Sequence, residues 1–222
     1  MKRTLGLTLL LFATLFSCMR QEKPLPAELS RAESVMWEHP DSALSILRSM
    51  PQSSLSIGKN YATWALLLAQ ARDKVYGKRL PDSLNIPSSD KLVQDAMDYF
   101  EKEGDLKRMA QTYYYKGQLL KDQKKITEAM PFFLKSKEMM TKLDEPLFTY
   151  LICQSLGNMY RYQDLYEESL VQLKDAYQYA LRSGNGERIS YALSELGRTY
   201  VHKNEMDSAL FYFGKSLDNA QR

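Results

Sequence analysis

The chain is poor in the residues that carry most protein chemistry. Of its 222 residues two are cysteine and two are histidine. Two thiols make neither a disulfide framework nor a zinc site, and the two histidines, His39 and His202, are far apart in sequence. Ten glycines and eight prolines are too few for a low-complexity chain. An excess of one charge is missing too. Lysine and arginine number 30 against 27 acids, and without Lys2 and Arg3 the balance is 28 to 27. That removes the electrostatic case for nucleic acid. No long apolar run exists: Leu5–Phe16 has 12 residues, where a spanning helix needs about 20. Motifs for catalysis are absent as well, with no G-x-S-x-G, no phosphate loop and no H-E-x-x-H. The expectation is a chain that is not an enzyme and uses no cofactor and no metal.

What is present begins with an address. Lys2 and Arg3 precede the apolar stretch, which ends in Leu15-Phe16-Ser17-Cys18. A basic start, a short apolar core and a small residue before the cut fit an export signal. The last four residues resemble a bacterial lipobox. That resemblance implies cleavage after residue 17 and lipid attachment at Cys18. Residues 19–26 (MRQEKPLP) are polar with two prolines and read as a tether.

The rest is repetitive. Gly117, Gly157 and Gly197 recur at 40-residue intervals, and their surroundings recur with them. Small residues follow at Ala129, Ser169 and Ala209, large apolar ones at Phe133, Leu173 and Phe213, and small ones again at Ser136, Ala176 and Ser216. Apolar residues at i, i+3, i+4 and i+7 between polar turns describe pairs of amphipathic helices. A glycine inside a helix costs about 1 kcal/mol of propensity, and its repetition implies close helix packing. Leu143–Pro146 and Ser183–Gly186 are stops between repeats. Tyr113, Tyr160, Tyr200 and Cys153 fall at core positions.

This pattern resembles the tetratricopeptide (TPR) repeat, with a period of 40 in place of 34. The resemblance covers 106–222 and implies an all-α solenoid of antiparallel helix hairpins. Lys116 stands at a normally apolar position of the motif, and serine replaces alanine at several small ones. Upstream, Asp41-Ser42-Ala43-Leu44 echoes Asp207-Ser208-Ala209-Leu210. The chain therefore divides into a lipoprotein signal peptide (1–17), a tether (18–26), two degenerate helical hairpins (27–104) and three TPR-like repeats (105–222). The second hairpin has a long connection across Gly77–Ser89. The lipobox, the HPDSAL segment and the repeats together resemble TPR lipoproteins of Bacteroides-type bacteria.

In repeat arrays of this kind the first helix of each pair lines a concave face. The repeat register then directs Tyr114, Gln118, Lys121, Gln154, Asn158, Arg161, Tyr162, Tyr191, Arg198 and His202 toward a groove. Amides, aromatics and cations suit a protein or peptide partner. Asn158 matches the asparagine of carboxylate-clamp TPRs, whereas Gln154 departs from the clamp lysine. The functional expectation is a non-enzymatic, lipid-anchored scaffold of the cell envelope, at the outer membrane and on its periplasmic side. The alternative is the sensor half of a signalling system. Leu210, Phe211, Phe213 and Leu217 in the last helix are expected to leave an apolar face open to self-association.

Overall fold

The structure, a computed structural model, describes residues 24–55, 58–76 and 88–221. The signal segment and Cys18 lie outside the described residues. Among the described residues ten α-helices follow one another: α1 (Ala27–Val35), α2 (Pro40–Ser49), α3 (Lys59–Tyr76), α4 (Ser89–Glu103), α5 (Leu106–Asp122), α6 (Ile126–Lys142), α7 (Pro146–Tyr162), α8 (Tyr166–Ser183), α9 (Gly186–His202) and α10 (Met206–Ala220). The same residues contain no strand. Consecutive helices pack as hairpins, and each hairpin packs on the next. The fold is an all-α, TPR-like solenoid.

The recurring glycines show why the pattern repeats. A Cβ added at Gly117 would stand 3.0 Å from the Phe133 ring, one at Gly157 2.6 Å from Leu173 Cγ, and one at Gly197 2.7 Å from the Phe213 ring. In every repeat the large residue sixteen positions on occupies the space a side chain would need. The serines at small positions do more than fit. Ser136 Oγ donates to the Ala110 carbonyl at 2.6 Å, and Ser216 Oγ to the Ser190 carbonyl at 2.7 Å. Each hydroxyl ties the second helix of a hairpin to the first, a bond worth about 1 kcal/mol net. Lys116 reaches back to Asp90 Oδ1 at 2.8 Å, so its charge is met at the rim of the core.

The 40-residue period is two equal halves. From α5 onward helices start at 106, 126, 146, 166, 186 and 206. The residue with left-handed backbone recurs at the same spacing: Gly104, Lys124, Asp144, Asp164, Gly184 and Asn204, with φ between 54° and 75°. Four of these turns close with the same backbone bond, Lys125 N–H to the Leu120 carbonyl, Glu145 to Met140, Leu165 to Tyr160 and Glu205 to Tyr200, at 2.9–3.1 Å. This is the Schellman closure, which satisfies carbonyls that a helix end leaves open. Glycine, asparagine and aspartate tolerate the left-handed region well; Lys124 does not.

Upstream of 104 the spacing breaks. Helices α1 and α2 have only 9 and 10 residues, and residues 77–88 separate α3 from α4. Within α4 the register nevertheless persists: Val93, Ala96 and Phe100 are buried 40 residues before Phe133, Ser136 and Met140.

Candidate functional site on the inner face

The odd-numbered helices converge on one side of the molecule. Arg108 of α5 pairs with Glu33 of α1 at 2.7 Å. Trp37, between α1 and α2, meets Phe148 of α7 edge-on with 5.5 Å between ring centroids. Arg161 of α7 pairs with Glu195 of α9 at 2.6 Å. Contacts that cross 75 and 111 positions in sequence require the array to curve with these helices inside. The even-numbered helices carry their own tie, Lys137 to Gln172 and Asp175 at 2.8 Å.

Between α7 and α9 the inner face carries an ordered polar cluster. Glu195 is 1% exposed, and both its oxygens are held: Oε2 by Arg161 and Oε1 by Arg198, each at 2.6 Å. The Arg161 guanidinium also donates to the Asn158 side-chain Oδ1 at 2.9 Å and to the Glu195 backbone carbonyl at 3.3 Å. A buried carboxylate is tolerable only with such partners. Beside it the half-exposed Tyr191 hydrogen-bonds with Gln154, and burial followed by the charge of Glu195 raises its phenol above the ordinary value. Arg161 is therefore engaged with α9, and Asn158 with Arg161. Arg198, with most of its length in solvent, is the cation of the cluster that a ligand reaches.

In the column of Tyr114 exposure grows toward the C-terminal end. Tyr114 is 4% exposed, while Gln154 and Ser194, 40 and 80 residues later, are half-buried. Tyr114 is thus a correction: it is a core residue, not a groove contact. Its ring lies against Tyr115, Phe133 and Phe148, and its hydroxyl accepts from Gln118 Nε2 at 3.0 Å. Burial drives its phenol pKa far up. Gln118 also takes a hydrogen bond from Lys121, and both are half-buried. Gln118 borders a cavity of about 400 Å³ between α3, the start of α4 and α5, with Asp73, Asp90, Tyr115 and Asp122. Tyr162 stands 81% exposed at the end of α7. His202 stacks on Tyr166 of α8 at 6.0 Å, which places it at the edge between repeats rather than with the cluster.

Glu195 was invisible to a motif reading, although a signal existed: it occupies the column of Tyr115 and Ser155, both buried. Cys153 is fully buried, and burial pushes its thiol up to about 11, so at neutral pH it is a protonated core residue. Among the described residues no group of histidine, cysteine and acidic side chains has a metal-binding arrangement, and no helix is long and apolar enough to cross a membrane. At the far end Leu210, Phe211 and Leu217 of α10 are exposed. Phe213 is not part of that face, because it covers Gly197.

No family model matches the chain, and no curated protein does. Solved structures match over most of its length. A Rap protein complexed with competence and sporulation factor is 14% identical with a TM-score of 0.69; the match covers 95% of this chain and 58% of that one. A signal-transduction ATPase with a tetratricopeptide-repeat sensor, from Pyrococcus horikoshii, is 17% identical with a TM-score of 0.66, over 87% of this chain and 29% of that one. MamA is 14% identical with a TM-score of 0.58, over 90% and 97%. The chain thus spans under a third of the ATPase and little more than half of the Rap protein. At these identities the likeness is one of fold: this chain has the helical-repeat solenoid of the TPR-like proteins.

Proposed function

We propose that the chain is a non-enzymatic scaffold that holds an extended segment of a partner protein against its inner face, and that Cys18 anchors it by lipid to the cell envelope, on the periplasmic side of the outer membrane. The observation that carries the binding reading is the Glu195 cluster. The buried Glu195 holds Arg198 and Tyr191, and Tyr191 holds Gln154, so that amide, phenol and guanidinium groups stand ready at little ordering cost. The similar Rap protein is complexed with competence and sporulation factor, which supports the same use of the fold. The anchoring reading rests on the sequence of residues 1–18.

Two experiments test these readings. Cross-linking in envelopes followed by mass spectrometry compares the native chain with Gln154→Ala/Arg198→Ala. Arg161 is left intact, because removing it strands a buried carboxylate. A partner captured by the native chain and lost with the variant is the expected result; a partner kept by both overturns the groove reading. Separately, Cys18→Ser is expected to move the chain from the membrane to the soluble fraction. Retention in the membrane overturns the lipid anchor.

A further inference from the structure

Trp37 brings together charges from distant parts of the chain. The Lys74 ammonium, in the last turn of α3, lies 3.4 Å from the centroid of the Trp37 ring. The Arg188 guanidinium, in the first turn of α9, lies 5.9 Å from the same centroid. Phe148 braces the ring edge-on. Trp37, Lys74 and Arg188 are half-buried and reachable from solvent. Neither cation forms an ion pair with a carboxylate among the described residues.

Two cations on one indole repel each other, and the ring returns only part of that cost. Cation–π attraction to one ring is modest, and a half-buried ammonium gives up part of its hydration. Burial and Arg188 both lower the Lys74 ammonium, to about 8, against the pull of Asp73. A group strained in this way gains most from an incoming anion.

We infer that Trp37, Lys74 and Arg188 form a seat for one side-chain carboxylate of an acidic peptide segment lying on the inner face. The guanidinium offers a planar fork to a carboxylate and the ammonium a point charge. Lys74, Arg188 and the Asp73 whose charge acts on Lys74 together carry one formal positive charge. A monoanion cancels it, whereas a phosphate dianion overshoots next to Asp73. The indole and Phe148 supply an apolar floor for the methylenes of a glutamate. This inference rests on the groove reading, since it names the chemistry of the segment the groove would hold.

The test uses the full chain and an octapeptide alternating glutamate and serine, acetylated and amidated so that only side chains carry charge. Calorimetric titration is expected to show binding that weakens at least tenfold in Lys74→Met and again in Arg188→Gln. The glutamine–serine peptide is expected to bind none of the three chains. Equal binding of the glutamate peptide by native and variant chains, with helical circular dichroism unchanged, overturns the seat. So does inorganic phosphate competing at concentrations where acetate does not, because it assigns the seat to a dianion. The two readings fail separately. A partner lost with Gln154→Ala/Arg198→Ala but indifferent to Lys74→Met keeps the groove and removes the seat. Peptide binding that depends on Lys74, together with a partner indifferent to the groove variant, does the reverse.

Discussion

Helices α2 and α10 contain the same four residues in a row, Asp-Ser-Ala-Leu, and fold them the same way. Ala43 and Ala209 are both buried, each in a helix that packs on the preceding helix of its hairpin. The leucines part company: Leu44 is 4% exposed and Leu210 69%. Helix α3 packs on α2, and among the described residues nothing packs on the outer face of α10. The small residue thus reports the hairpin, which local sequence dictates, and the leucine reports the neighbour, which it does not. In a solenoid stability divides in the same manner, into what a repeat makes alone and what its interface adds.

The sharpest break of that comparison is truncation of the two leucines. Leu44→Ala is expected to cost about 2–5 kcal/mol and Leu210→Ala to stay within about 0.5 kcal/mol, read by urea denaturation. Equal losses would mean that α10 is covered in solution. Next come the glycines. Gly157→Ala drives a methyl into the fully buried Leu173 and to 3.3 Å from the Ser169 carbonyl, and is expected to cost about 1–3 kcal/mol. Gly197→Ala meets Phe213, which is half-exposed and free to turn, so the helix-propensity gain of about 1 kcal/mol largely offsets the clash. A smaller effect distinguishes the turns. Lys124→Gly removes a side chain from a left-handed residue and is expected to stabilise by about 0.5–1 kcal/mol, visible as a raised midpoint; loss of stability there would show that the turn is relaxed.

The smallest effect is one of pH, and it too separates the ends. The N-terminal half buries Lys74, whose ammonium is lowered to about 8 from 10.5. Between those values the unfolded chain holds a proton that the folded chain has released, so stability rises with pH. Cys153 opposes this above pH 9, because its folded thiol keeps a proton up to about 11, and the buried Tyr114 and Tyr115 add to the loss above pH 10. Stability is expected to rise from pH 8 to 9 and fall beyond 10. In Lys74→Met the rise disappears and the fall remains, a pair of outcomes that denaturation midpoints at four pH values would check.

Much of this architecture is readable from sequence because its causes are local. A glycine sixteen positions before a large apolar residue needs no distant partner to be understood. The inner face is less legible. Helical register tells which side of α5 carries Tyr114, yet not that three rings close over it. Gln154, Tyr191 and Arg198 stand out as a polar row, while the carboxylate that organises them does not, since Glu195 owes its burial to Arg161 on the preceding hairpin. Trp37 is hidden for the same reason, its partners lying on α3, α7 and α9. What sequence periodicity conveys is the face of a helix; what rests upon that face is decided by curvature.

The turns spaced every 20 residues impose a rule of parity on this chain. Helices alternate between the inside and the outside of the curve, so gaining or losing one 20-residue unit turns every later helix inside out. A unit gained or lost between Arg161 and Glu195 would put the two on opposite sides. Removing 40 residues leaves each remaining helix on its own side. Length variation in such a molecule is therefore counted in pairs, and an odd step is a change of surface before it is a change of size.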